Sequence, residues 1–184
     1  FFQHIAKSLD PKTGRAAILF PHGVLFRREE TAMREALVKS DMIECVLGLG
    51  EGLFYNSPMP AAVVILRSVK PAERRGKILL INAVAEVARE QAQSFLREEH
   101  QHKILHAYRA FSDAEGFAKV ATINDVAEKG FSLAIPLYVS GARDNASAVA
   151  VDVDEALSAW RAAGEASDAA ISGVLGLRRS GVGR

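Results

Sequence analysis

Two short stretches carry the residue types most able to do chemistry. In AAILFPHGVLFR (16–27) an apolar run is broken by Pro21, His22 and Gly23, and the chain resumes with Phe26, Arg27 and Arg28. In GLGEGLFYNSPMP (48–60) a glycine-rich turn leads into Phe54, Tyr55 and Asn56. Both follow what read as strand ends, and ligands of open α/β sheets sit beyond the carboxyl ends of the strands. An aromatic ring there offers a flat face to a planar ligand, although Phe26, Phe54 and Tyr55 are equally the residue types of an ordinary core.

The other constellations are weaker. Gly48, Gly50 and Gly52 resemble a dinucleotide loop, which requires a helix immediately afterwards to aim its amides at phosphate. Asn56, Ser57, Pro58 and Pro60 follow instead and oppose a regular helix. A nucleotide-binding enzyme built on this loop would need a helix over 56–63. His102 and His106 share a helix face, but His100 points elsewhere, and a solvated face accounts for all three better than a metal site. Cys45 lies inside an apolar strand, where a thiol is inert packing, and no serine sits in a nucleophile elbow. Glu29 with Glu30 and Glu98 with Glu99 fall on helix surfaces.

The elements that would position these loops are legible from periodicity. FFQHIAKSL opens on a helix face that stops at DPKTG (10–14). The run 16–20 reads as a strand covered on both faces. An amphipathic helix follows over 29–39, with strands at 43–49, 61–66 and 77–82, the first two joined as an antiparallel excursion. Strand, helix, strand, strand is an α/β order. Beyond residue 83 a helix with one apolar stripe is expected over 95–111. Short extended pieces are expected at 120–123 and 133–139, with Asn124 capping a brief helix at 125–129. A linker at 140–150 and alanine-rich helices at 152–163 and 167–175 complete the chain.

The 184 residues are 49% apolar, enough for one sizeable core. A formal net charge of +1 supplies no global basic field, so a nucleic-acid partner would have to meet local charge, at Arg27 and Arg28, at Lys70, Arg74, Arg75 and Lys77, or at Arg178 and Arg179. Each cluster otherwise reads as solvated surface. No window approaches the roughly 20 apolar residues of a membrane span. With a single cysteine, a cytoplasmic location is expected.

Three blocks, FFQHIAKSLDPKTGRAAILFPHGVLFR, REALVKSDMIECVLGLGEGLFYNSPMPAAVVILRS and RRGKILLINA, resemble in order the later part of the modification subunit of type I restriction-modification systems, a family of N6-adenine DNA methyltransferases. ILHAYRAF and EGFAKVATINDVAEKGFSLAIPLYV are similar to the segment that ends that methyltransferase domain. The resemblance spans 1–139 and leaves 140–184 unmatched. It implies the second half of a Rossmann-like S-adenosylmethionine-dependent sheet (1–82), a helical and extended extension (83–139), and a helical C-terminal region.

The resemblance also implies roles. Phe1 corresponds to an aromatic lying against the cofactor's adenine, and Phe54, with Tyr55 and Asn56 beside it, to the aromatic that stacks on the target adenine after it leaves the duplex. Pro21, His22 and Gly23 form the cleft rim, His22 standing where asparagine is more usual. The family's glycine-rich cofactor loop and its Asn-Pro-Pro-aromatic catalytic tetrapeptide lie upstream of Phe1 and do not occur in these residues, so the chain alone is expected to be inactive. The implied cofactor is S-adenosylmethionine. The implied partners are DNA, a specificity subunit, a second modification subunit and a restriction subunit. The competing expectation is a non-catalytic α/β interaction module that binds a partner without any cofactor effect.

Overall fold

In the computed structural model, residues 2–54, 57–90 and 93–139 are described. The elements are α1 (Phe2–Ser8), β1 (Arg15–Pro21), α2 (Thr31–Lys39), β2 (Ile43–Leu49), β3 (Ala61–Arg67), β4 (Lys77–Ala83), β5 (Ala88–Glu90), β6 (Gln93–Phe95), α3 (Glu98–Ala110), β7 (Ala118–Thr122) and α4 (Ile123–Glu128). Five strands form one sheet in the order β1-β3-β2-β4-β7, and β5 and β6 make a separate hairpin. β3 is antiparallel to β1 and β2, β4 is parallel to β2, and β7 is antiparallel to β4. β1, β2 and β4 therefore share a direction, and the loops that follow them emerge at one edge.

The sheet is buried on both faces at its centre. In KILLINA, Ile78 and Leu80 face a core shared with Phe2, Leu37, Val38 and Val126, whereas Leu79 and Ile81 face a second core with Cys45, Ala107 and Phe117. Alternation is invisible in such a strand because both sets are apolar. α1, α2 and α4 thus cover one face and α3 the other, a three-layer arrangement. Most of the apolar stripe of α3 is absorbed here, with Ile104, Tyr108 and Phe111 against the second core, while Leu105 stays exposed.

Three expectations are corrected, and one, the extended piece at 120–123, is borne out and extended. β1 is not covered on both faces: it is an edge strand, its exposure alternates along its length, and Leu19 is 47% exposed. Its covered side meets α1, where the Phe2 and Phe20 rings stand edge-to-face at 5.0 Å. The extended piece expected at 120–123 is β7, which adds a fifth strand to the sheet from beyond residue 83. α4 is capped by Thr122, not Asn124: Thr122 Oγ1 accepts from the Asp125 amide at 3.2 Å while Asp125 accepts from the Thr122 amide at 2.8 Å, a reciprocal capping box. The piece expected to be extended over 133–139 contains a 3₁₀ turn at Ile135–Leu137, with Pro136 inside it. The helices expected at 152–163 and 167–175 lie outside the described residues.

Candidate functional site

The loops after β1, β2 and β4 converge on a cavity of about 790 Å³ at the carboxyl edge of the sheet. His22 and Phe26 line it from the first loop, Glu51 and Pro60 from the second, Asn82 and Val84 from the end of β4, and Ala134 to Pro136 close it. The cavity is mostly apolar. Phe26, at its lip, is 54% exposed.

The expected rim residues sit here for local reasons. Pro21 ends β1 opposite Ala61, where β3 begins. His22 starts a 3₁₀ turn, His22–Leu25, and its Nε2 lies 2.8 Å from the Ala61 carbonyl oxygen, which accepts the bond and ties the β1 loop to β3. Gly23 lies under the Arg27 guanidinium, whose Nε would stand 2.6 Å from a Cβ at that position.

The glycines of GLGEG serve packing and turning rather than phosphate. A Cβ on Gly48 would meet the Ile135 side chain at 2.7 Å, and one on Gly50 would meet Val87 Cγ2 at 2.4 Å and the Val84 carbonyl oxygen at 2.5 Å. Gly52 has φ +72°, the left-handed region that favours glycine. Ser57 to Pro60 are not helical and Ala61 opens a strand, which removes the helix that nucleotide binding on this loop requires. The room a pyrophosphate would need beside Gly48 and Gly50 is filled by Ile135, Val84 and Val87.

Phe54 stands on the β2–β3 loop, partly buried, where the Ser57 amide donates to its carbonyl oxygen at 3.1 Å. It is on the loop that supplies Glu51 and Pro60 to the cavity but is not itself part of the cavity lining. Phe1, Tyr55 and Asn56 lie outside the described residues.

Sequence reasoning missed a set of buried charges that hold these loops and helices in place. Glu44, 0% exposed on β2, accepts from Arg67 Nη1 at 3.0 Å and Arg74 Nη1 at 3.2 Å through one carboxylate oxygen, and from the Tyr108 hydroxyl at 2.7 Å through the other. The ladder register shifts at this residue, between Ile43 and Cys45. Lys70 is 3% exposed and donates to Asp41 Oδ1 and the Lys77 carbonyl oxygen, each at 2.6 Å. Lys70 and Arg74 are therefore interior clamps rather than the solvated surface expected of their cluster, and Arg74 also lies over the Phe111 ring at 4.5 Å. Arg34, 2% exposed on α2, is bonded through its guanidinium to the loop after β1. The available signal was a charged residue on an apolar run or face: Glu44 inside IECVLGL, and Arg34 at helical spacing with Leu37 and Val38.

Titration follows these contacts. Burial pushes the Glu44 carboxyl up, but the bonds from Tyr108 and Arg67 and the charges of Arg67 and Arg74 outweigh it and hold it below the ordinary range. Burial and then the Glu44 charge raise the Cys45 thiol, which leaves it protonated and unreactive. Among the described residues no three His, Cys, Asp or Glu side chains gather as a metal site. His100 Nδ1 accepts from the Arg97 amide at 3.3 Å at the start of α3, a capping role, and His102 lies 3.4 Å from Glu98 along the helix.

The sheet order, the loop cluster at its carboxyl edge and the blocks that carry them match one family. The profile of the N-6 DNA Methylase family matches residues 1–146, and the chain belongs to that family. It is 40% identical over 130 residues to the type I restriction enzyme MjaVIII methylase subunit of Methanocaldococcus jannaschii, covering 68% of this chain and 22% of that protein. It is 28% identical over 152 residues to the HindI methylase subunit of Haemophilus influenzae, covering 77% of this chain and 33% of that one. A crystal structure of a type I restriction-modification methyltransferase subunit from Streptococcus thermophilus superposes with a TM-score of 0.71 at 33% identity, covering 76% of this chain and 29% of that chain. The chain thus spans between a fifth and a third of these relatives.

Proposed function

We propose that these residues are part of the modification subunit of a type I restriction-modification system, an S-adenosylmethionine-dependent DNA adenine-N6 methyltransferase, to which they contribute the target-base loop and a subunit-docking region. What carries the reading is the convergence of the β1 and β2 loops on one cavity at the carboxyl edge of a sheet whose family is that of the N-6 DNA methylases. In this reading Phe54 stacks on the extruded adenine with Tyr55 and Asn56 beside it, Pro21, His22 and Gly23 edge the cleft, and Phe1 lies against the cofactor's adenine. The transfer depends on positioning the adenine amino group against the methyl sulfonium, and the groups that do so come from the rest of the subunit. The isolated chain therefore neither holds the cofactor tightly nor methylates DNA. DNA, a specificity subunit, a second modification subunit and the restriction subunit are the partners.

The decisive experiment begins with the gene. An Asn-Pro-Pro-aromatic tetrapeptide encoded a few tens of residues before Phe1 is expected. The full-length subunit, purified with its specificity subunit, should transfer labelled methyl groups to DNA adenine, whereas the 184-residue chain alone should not. Turnover by the isolated chain, or none by the complete assembly on any DNA, overturns the reading.

A further inference from the structure

The Arg34 guanidinium is committed to the two loops that wall the cavity. Nη1 donates to the Val24 carbonyl oxygen at 3.0 Å and to the Arg27 carbonyl oxygen at 2.8 Å, Nε donates to the Phe131 carbonyl oxygen at 3.0 Å, and Nη2 donates to Thr31 Oγ1 at 3.1 Å. Between the two carbonyls gripped by Nη1 lie Leu25 and Phe26, and both line the cavity. A few residues beyond Phe131 come Ala134, Ile135 and Pro136, the facing wall. The Leu133 amide, donating to the Leu25 carbonyl oxygen at 2.8 Å, closes the same seam.

All four acceptors are neutral oxygens. A buried cation bonded only to such atoms is a poor way to stabilise a core, where an apolar residue of similar volume commonly does as well or better. Burial accordingly lowers the Arg34 pKa, against the opposing pull of the Glu30 charge. What the guanidinium supplies is a planar fork whose donors point in fixed, different directions, which a lysine ammonium cannot reproduce. Loop carbonyls without a strand partner need such donors, and one fork serving both loops fixes their separation.

We propose that Arg34 is a positioning residue of the methyl-transfer reaction: by pinning the Val24–Arg27 turn to the Phe131 loop, it sets the spacing of the two cavity walls and hence their grip on the extruded base. This rests on the methylation reading given above. The test uses the full-length subunit with its specificity subunit and duplexes carrying adenine or 2-aminopurine at the target position, below the melting temperature of every variant. Arg34→Lys keeps the charge and loses the fork. Thr31→Val removes one acceptor without a change of volume.

Arg34→Lys should lower kcat/KM for DNA about tenfold, leave the KM for S-adenosylmethionine unchanged and alter the 2-aminopurine emission of the bound duplex. Thr31→Val should move the same quantities about threefold in the same direction. Variants that melt at lower temperature yet match the wild type in DNA kinetics and emission overturn the proposal, because Arg34 then only stabilises the fold. If Arg34→Lys does not fold, Thr31→Val decides alone. A wild-type assembly that methylates nothing removes the methylation reading and this inference together, whereas an active wild type matched by both variants removes the inference alone.

Discussion

The hydroxyl of Tyr108 on α3 donates a 2.7 Å hydrogen bond to the carboxylate of Glu44 on β2, and that carboxylate also receives Arg67 from β3 and Arg74 from the β3–β4 connection. One buried acid thereby joins β2, β3, the β3–β4 connection and the helix that covers them. Arg15 extends the chain from β1 through a 3.3 Å bond to the Tyr108 hydroxyl. The edge strand that leads into the cavity loop is thus linked across the sheet to the helical layer.

Replacing Glu44 by glutamine should lower stability by about 2 kcal/mol, the scale of hydrogen bonds to a charged partner lost without a change of shape. Both arginines keep some access to water, with side chains 27% and 14% exposed, which keeps the loss below that of a fully sealed pair. In urea unfolding the midpoint should fall while the slope stays unchanged. An unaltered midpoint would mean the network contributes geometry and no free energy.

The same residue sets an acid limit. Because the folded Glu44 carboxyl titrates below its ordinary value, the unfolded chain binds the extra proton first as pH falls. The contribution is complete above the unfolded value of about 4.3 and is lost as pH drops through the folded value. The stability gap between wild type and Glu44→Gln should therefore be constant from pH 7 to about 5 and shrink toward pH 3. Asp113 and Asp125, lowered chiefly by their hydrogen bonds with Lys119 and with Thr122, titrate in the same direction and are present in both proteins.

How far the sequence carries the structure depends on whether a feature is local. β2, β3, β4, α1 and α2 are legible because periodicity and turn residues are properties of neighbouring positions. The pairing of β7 with β4 is not, since it depends on contacts across the α3 connection. β1 reads as doubly buried because an apolar run reports residue type and says nothing of position in the sheet order. α3 begins at Glu98 rather than 95 because Phe95 is taken by the short hairpin with Ala88. The cavity loops are foreseen from aromatic residues after strand ends, whereas the Glu44 and Arg34 networks are missed because a lone charge on an apolar face does not name its partners.

The GLGEG turn offers a test of packing against phosphate binding. Gly50→Ala forces a methyl to within 2.5 Å of the Val84 carbonyl oxygen, a backbone atom on the cavity wall. It should cost about 2 kcal/mol by overpacking. Gly48→Ala meets only the end of the Ile135 side chain, which can rotate away, and should cost at most about 1 kcal/mol. Thermal melts of the two variants check the order, and a reversed order would show that the loop, rather than the side chain, is the part that gives.

In the full-length subunit Phe54 separates base stacking from fold stability. Its backbone closes a turn with Ser57 that an alanine would keep, and its ring is only partly buried, so Phe54→Ala should change the melting temperature little. Stacking of an aromatic on a base contributes about 1 to 3 kcal/mol, so the same substitution should lower kcat/KM for DNA by roughly ten- to a hundredfold. Phe54→Trp, which keeps a π-face, should retain most of the activity. A target adenine replaced by 2-aminopurine gives the direct readout, because an extruded base stacked on a ring is quenched relative to one held without it. If Phe54→Ala methylates as fast as the wild type and leaves the emission unchanged, the ring does not hold the base, and the Phe26 side of the cavity becomes the wall on which an extruded adenine rests.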